Sequence, residues 1–447
     1  MSADAPTSGG VTFGRKLCYE NFEGRQSFVV LIFLISNPQE FSKPEALYQR
    51  SDATIPNVLF EILWRRMTSL NILSLENFRN LENSTVNFSP GVNIFCGQNG
   101  SGKTNLLEAI MTVCLGRSQR LNASDRTLVN TESDWYRLEG NGLVKDHKTK
   151  ITVAFQKNNS ERNVGKKVTL NNAPSKLSEL FQMFSVITIS PEDSDTISGV
   201  PSLRRRFLDF HLSQSSPTYL DNLTKYHRVL AQRNIHIKNS GIPIGGTTFD
   251  ELLIDFAAMI IKSRLDYLTD IREGAQEIYS LISGGGKFEC VYNSSAVNSD
   301  DMPFWKSLSG DEKFEKLKSS ISKRLTESQE AERAREITLV GPHRDDIAVK
   351  INSLSARSYA SQGEWRSAAV ALKLATYKFL KENFEKDPIL LLDEVFAELD
   401  ENRQAALVNL LTDVGQVFLT SAIAPPENLR KCAAMVEIVD GRIKIDG

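Results

Sequence analysis

Gly97-Gln98-Asn99-Gly100-Ser101-Gly102-Lys103-Thr104 constrains this chain more than any other stretch, because it fits the pattern G-x-x-x-x-G-K-[ST] at every position. Glycines at these places let backbone N–H groups turn inward around a phosphate. Val92-Asn93-Ile94-Phe95-Cys96 ahead of it reads as a short buried strand, and Asn105-Leu106-Leu107-Glu108-Ala109-Ile110 behind it opens an apolar-periodic helix. The N-terminus of that helix adds partial positive charge to the cradle. Residues Gly97 through Thr104 are therefore candidate ATP-binding residues, with Lys103 reaching the β- and γ-phosphates and the Thr104 hydroxyl ligating Mg²⁺.

At 447 residues, with 41% hydrophobic and 24% charged side chains, the chain has room for two or three domains of ordinary globular composition. A formal charge of -2 makes no global case for nucleic acid, so any such role rests on local basic patches. The five cysteines are odd in number and lack C-x-x-C spacing, as expected of reduced cytosolic thiols and not of a disulfide framework or zinc site. Phe28 to Ile35 is the longest apolar run and falls far short of the roughly 20 residues that span a bilayer. Its flanks (Glu20, Glu23, Arg25) and the lack of a small-residue cleavage site argue against a signal peptide. A soluble, cytoplasmic protein without a membrane partner is expected.

Residues 1–66 form an N-terminal extension that is either genuine or the product of a start codon placed too early; strand-like patterning beginning right after Met67 favours the second. Leu70 to Phe78 and Val86 to Phe88 predict a hairpin that turns at Ser89-Pro90-Gly91 into the strand feeding the loop. Further strands are predicted at 135–143, 150–155, 167–170 and 184–189, with turns at Asn141-Gly142 and Asn171-Asn172, as a mixed sheet over the nucleotide. From Pro201 to about Arg335 the spacing turns helical, with helices over 249–281 and 313–334. Strands return at 337–340 and 347–350, then a helix over 363–384, a buried strand at 389–392, a helix over 401–411, a strand at 416–420 and a hairpin at 435–445. The expected organisation is an α/β nucleotide-binding domain in two halves, 67–200 and 336–447, split by a helical insertion at 201–335.

Ile389-Leu390-Leu391-Leu392-Asp393-Glu394 has the form of a buried parallel strand ending in two carboxylates, and the carboxyl end of such a strand is where an α/β sheet places ligands. Asp393 would hold Mg²⁺ opposite Thr104, and Glu394 would orient or deprotonate the attacking water. Lys103 and Glu394 are thus the candidate catalytic residues. Ser361-Gln362-Gly363, at the start of the long helix, offers a hydroxyl and free N–H groups to an anion.

In combination these features resemble the ABC-type ATPases. Ser361, Gln362 and Gly363 are similar to the signature turn, which meets the γ-phosphate held by a second subunit, and Ala397-Glu398-Leu399-Asp400 is similar to the D-loop. Pro191-Glu192-Asp193, Gly199-Val200-Pro201, Arg204-Arg205-Arg206-Phe207-Leu208-Asp209 and Gly341-Pro342-His343-Arg344-Asp345-Asp346 narrow the likeness. From Met67 to the C-terminus the chain resembles the RecF family of bacterial recombination proteins, relatives of the structural maintenance of chromosomes proteins but without their very long coiled coils. That resemblance implies a P-loop ABC-type ATPase head split by a helical insertion domain, a weak ATPase stimulated by DNA. It further implies ATP-driven homodimers on double-stranded DNA near single-strand gaps, hydrolysis that releases them, and RecA loading with RecO and RecR. A chromosome-organising ATPase without a gap-repair role is the alternative. The chain departs from the family's usual residues with Glu394 in place of Asp and Trp365 in place of Gln. It also lacks the histidine that transporter-type ATPases carry after the strand ending Thr420-Ser421, either of which could take over part of that role.

The candidate DNA-binding residues are Arg204, Arg205, Arg206, Lys166 and Lys167, with Lys145, Lys148 and Lys150 beside them, since phosphate contacts need cations. The arginine triplet is open to three readings: phosphate binding, support of the nucleotide loop, or anchorage of the helical domain. His343 and Arg344 could likewise face nucleotide or DNA, or pair internally.

Overall fold

The computed structural model describes residues 68–118, 124–144, 147–157, 165–240, 248–297, 305, 307–384, 387–398, 400–411, 414–423, 425, 427–431 and 433–445. The extension at 1–66, Lys145 and Leu399 lie outside them. The described residues all fall within one compact unit, Val58–Gly447. Among them no helix is long and apolar enough to cross a membrane.

The first hairpin is β1 (Ser69–Glu76) with β2 (Ser84–Asn87), followed by β3 (Val92–Cys96), the glycine-rich loop and α1 (Lys103–Leu115). Next come β4 (Trp135–Val144), β5 (His147–Gln156), β6 (Lys166–Leu170), β7 (Ala173–Pro174), α2 (Leu177–Met183) and β8 (Val186–Ile189). Helices α3 (Pro201–Ser215), α4 (Pro217–Ser240) and α5 (Thr248–Ser283) lead to β9 (Phe288–Asn293), α6 (Gly310–Arg335), β10 (Asp346–Ile351) and β11 (Leu354–Ser355). The last stretch is α7 (Gln362–Phe384), β12 (Ile389–Leu392), α8 (Glu401–Leu411), β13 (Val417–Ser421), β14 (Ala433–Val439) and β15 (Arg442–Ile445).

The central sheet has the order β15-β14-β3-β13-β12-β8, parallel except for β15. Strand alternation gives it two apolar faces. Ile389, Leu391, Phe95 and Phe418 join a core with α1 and the first sheet, while Leu390, Leu392, Ile94 and Leu419 join a second core with α3, α5 and α7. Being buried on both sides is why β12 reads as an unbroken aliphatic run.

Four sequence expectations need correction. The sheet β2-β1-β4-β5-β6-β7 is wholly antiparallel, not mixed, because Val186–Ile189 leaves it for the parallel sheet beside β12. Asn141-Gly142 lies inside β4 and makes no turn; a Cβ at Gly142 would stand 2.1 Å from the Ser69 carbonyl oxygen, so the glycine serves the close approach of β1. Residues 201–335 are not wholly helical, since they contain β9, which pairs with β10. The strand expected at 337–340 does not form: the N–H groups of Thr338 and Leu339 are taken by the side chains of Asn234 and Glu332.

Buried charge pairs tie the helices to the segment 338–346. Arg204 of α3 grips Asp346 through Nε and Nη2 at 2.6 and 2.9 Å, and Arg264 of α5 joins Asp209 (2.7 Å) to the Pro342 carbonyl (2.7 Å). Arg233 of α4 meets Asp250, Glu332 and the Thr338 hydroxyl. Removing one partner of such a pair strands a buried charge, at a cost of about 3–5 kcal/mol.

His343 belongs to the same clasp: its Nδ1 accepts from the Tyr226 hydroxyl at 2.6 Å and its Nε2 faces the Thr338 carbonyl at 3.1 Å. A carbonyl can only accept, so Nε2 carries the proton and the neutral ring is fully satisfied. Burial, aided by Arg344, Arg205 and His227, lowers its pKa to about 4. Burial also holds His211, set against Phe207 and Phe210, neutral. The unfolded chain takes up these protons near pH 6.5, whereas the folded protein resists until His343 titrates near 4. Stability is therefore full above about 6.5 and falls as pH drops toward 4. Denaturant midpoints measured across this window are expected to fall with pH, and His343→Gln should flatten the dependence by up to about one proton. An unaltered slope would refute the assignment.

Candidate nucleotide site

The glycine-rich loop leaves the carboxyl end of β3, where the neighbouring strands β13 and β12 also end. Its shape is fixed from behind. Gly97 packs so closely on β14 that a Cβ would stand 2.2 Å from the Ile438 carbonyl oxygen, and the Gly441 N–H in the β14–β15 turn donates to the Ser101 carbonyl at 2.9 Å. Gly102 caps α1 with φ +113°, and no side chain caps the helix, so the inward N–H groups of its first turn are left for an anion. The Ser101 hydroxyl is buried and has no partner among the described residues. These features fit a phosphate group.

Asp393 and Glu394 follow β12 directly. Asp393 Oδ1 accepts from the Thr104 hydroxyl at 2.9 Å and from the Thr420 hydroxyl at 2.7 Å, joining residues 289 positions apart in the first case. Burial pushes the Asp393 carboxyl up, the two hydroxyl bonds hold it down, and Glu192 and Glu394 add to the rise. Lys103 Nζ sits 2.9 and 3.0 Å from the Gly97 and Gln98 carbonyl oxygens and 3.1 Å from Glu394 Oε1. An ammonium held only by oxygens can exchange them for phosphate oxygens. Thr104 and Asp393 form an oxygen donor set that suits a hard cation such as Mg²⁺.

A cavity of about 390 Å³ opens beside Thr104 and Asp393, between α1 and α3, with Glu192, Arg206, Phe207 and Lys373 also on its walls. Lys373 of α7 pairs with Asp193 at 3.0 Å. Glu108, also on the cavity wall, is gripped by Arg79 at 2.9 and 3.1 Å. A buried acid in an otherwise apolar helix demands a partner, a signal the sequence offered and the motif reading passed over.

The structure brings Gly97 through Thr104 together with Asp393, Glu394 and Thr420. It does not bring Ser361 to them: among the described residues no hydrogen bond or ion pair joins Ser361, Gln362 or Gly363 to the loop. Ser361 and Glu364 instead form a capping box on α7, with Ser361 N–H donating to Glu364 Oε2 at 2.8 Å and Glu364 N–H to Ser361 Oγ at 3.3 Å. The turn is well ordered locally, and Ser361 is exposed. Trp365 packs on the core and donates its indole N–H to the Ala356 carbonyl at 2.7 Å, so the indole is committed within its own chain. Asp400 accepts from the Arg403 N–H at 3.0 Å at the start of α8.

Two of the DNA candidates are held inward by acids. Arg204 is buried with its guanidinium committed to Asp346 and the Gly199 carbonyl, which makes it an anchor of α3. Lys166 is directed inward onto Asp125, which also receives the Tyr136 hydroxyl. Arg205 donates to the Asp345 carbonyl at 2.8 Å, and Arg206 faces the cavity. Lys167 and Lys148 are exposed on the outer face of the antiparallel sheet, and Lys150 pairs there with Glu139.

A family model for the RecF/RecN/SMC N-terminal domain matches residues 69–442. The chain is 37% identical over 360 residues to the DNA replication and repair protein RecF of Heliobacterium modesticaldum, covering 79% of this chain and 92% of that one. It is 33% identical over 382 residues to RecF of Staphylococcus carnosus, covering 84% and 99%. Among solved structures, the recombination mediator protein RecF with ATP, of the RecFOR pathway, superposes with a TM-score of 0.73 at 31% identity, covering 86% of this chain and 98% of that one. The Smc head domain of Pyrococcus furiosus shares the fold at 15% identity and a TM-score of 0.50.

The backing of the loop by β14 is open to a direct test. Gly97→Ala pushes a methyl group into the Ile438 carbonyl and shifts the phosphate cradle. Losing one charge-assisted bond, about 1.5–3 kcal/mol, is expected to weaken binding of a fluorescent ATP analogue roughly tenfold or more, with the circular dichroism spectrum unchanged. Equal affinity would show that the loop tolerates the displacement.

Proposed function

The chain belongs to the RecF family of DNA replication and repair proteins, and from that premise we propose that it is an ATPase of recombinational repair whose ATP-bound form is a homodimer on DNA. The observation that carries the reading is the meeting of Lys103 and Thr104 with Glu394 and Asp393 at one strand edge. ATP would lie with its phosphates against the N–H groups of Gly97 through Thr104. Lys103 would move from its loop carbonyls to the β- and γ-phosphates, and Thr104 and Asp393 would hold Mg²⁺. The ion, when bound, neutralises charge on the phosphate oxygens. Glu394, held beside Lys103, is placed to orient a water and accept its proton. A carboxylate serves here whether Asp or Glu, although Glu reaches one methylene further.

Among the described residues no hydrogen bond or ion pair joins Ser361 to the glycine-rich loop of its own chain, which supports a site completed by a second copy: the signature turn of one protomer would meet the γ-phosphate on the other. Binding would then hold two protomers on double-stranded DNA beside a gap, hydrolysis would release them, and RecO and RecR would join them in loading RecA. The 31% identity to a RecF structure, against 15% to an Smc head, favours this over a chromosome-organising role. Sedimentation with ATP on gapped, duplex and single-stranded DNA is expected to show wild-type dimers and monomeric Lys103→Ala and Ser361→Arg. Only Lys103→Ala should also lose ATP binding. If both variants dimerise as well as wild type, the composite site fails.

For DNA, Lys148 and Lys167 are the exposed cations among the described candidates, set on one face of β5 and β6. Lys148→Gln with Lys167→Gln is expected to weaken duplex binding and to reduce the log-affinity against log-salt slope by about two. Lys166→Met should leave that slope alone and lower the thermal midpoint. The opposite pattern would place the DNA on another face.

A further inference from the structure

Strand β13 ends beside the two carboxylates with a buried hydroxyl, Thr420. Its one proton goes to Asp393 Oδ1 at 2.7 Å, and its oxygen accepts the Glu394 backbone N–H at 2.9 Å. Glu394 has φ +50°, the left-handed region that a residue with a Cβ occupies at a cost of about 1–3 kcal/mol. That conformation turns the chain so that Glu394 Oε2 accepts the Ala422 N–H at 3.1 Å while Oε1 meets Lys103. One side chain thus spans both acids: it orients the carboxylate of Asp393 and pins the strained backbone of Glu394. Thr104 donates to the same Asp393 oxygen, and among the described residues no donor reaches Oδ2, which is left for a cation.

We infer that Thr420 is a positioning residue for hydrolysis, fixing Glu394 in its left-handed conformation and Asp393 in its metal-facing rotamer. The inference rests on the ATPase reading above. Valine in this place keeps the shape and deletes both hydrogen bonds, leaving the Glu394 N–H without its partner. Serine keeps the hydroxyl and gives up one methyl group. Among the described residues no hydrogen bond joins the Thr420 side chain to the loop, so its loss should act on the chemical step and not on the capture of ATP.

The test compares wild type, Thr420→Val and Thr420→Ser by steady-state ATPase kinetics, by affinity for an ATP analogue without Mg²⁺, by thermal midpoint, and by amide hydrogen exchange over 393–396. Thr420→Val is expected to lower kcat roughly 10- to 100-fold, as small misplacements of a reacting group do. KM, metal-free affinity and midpoint should stay near wild type, while amide protection at Glu394 is lost. Thr420→Ser should restore both kcat and protection. The inference is overturned if the valine variant keeps its kcat and protection, if serine fails where the protein is folded, or if kcat falls only in step with metal-free affinity and midpoint. A wild-type protein without ATPase activity would instead sink the functional reading, and the exchange data would still decide whether Thr420 pins Glu394.

Discussion

Parallel pairing of β3 with β13 and of β13 with β12 is the constraint on which the rest depends. Parallel strands end on the same side, so the loop after β3, the hydroxyl at the end of β13 and the acids after β12 meet there whatever separates them in sequence. The Thr104–Asp393 bond is the outcome. The two faces of the sheet are closed by different partners, α1 with the antiparallel sheet on one side and α3, α5 and α7 on the other. A shift of either layer would be felt along the line where these strands end, because packed interiors transmit displacement.

The motifs on which the resemblance to the RecF family narrowed hold the fold together here. Arg204 with Asp346, Asp209 with Arg264, and Asp345 with Tyr292 and Ser295 form a buried clasp between the helices and the stretch 342–346. Such pairs gain little net stability when intact and lose much when broken. They serve to hold α3 and α5 in one relation to the strand β10, and hence to the cavity wall that α3 contributes.

The phosphate loop and the acidic strand were legible because each is local: strand, loop and helix follow one another, and four aliphatics precede Asp393. The long helices were legible for the same reason, since their apolar period is carried within the element. What escaped depends on contacts between distant residues. Arg204 and Lys166 look like any surface cation until Asp346 and Asp125 are seen beside them. Ile337 to Val340 has the composition of a strand, yet Asn234 and Glu332 take its N–H groups. Phe288, Cys290 and Tyr292 did alternate, and β9 was hidden only by the polar loops around it.

The turn between β14 and β15 backs the loop through Gly441 and Ile438, with the Glu82 N–H donating in turn to the Gly441 carbonyl. During synthesis the loop residues are made well before Ile438 and Gly441, which back them. A nascent chain can therefore assemble the antiparallel sheet and the helical layer well before it owns a rigid phosphate cradle. Until Ile438 and Gly441 are in place, the loop's own sequence is complete but its shape is not held.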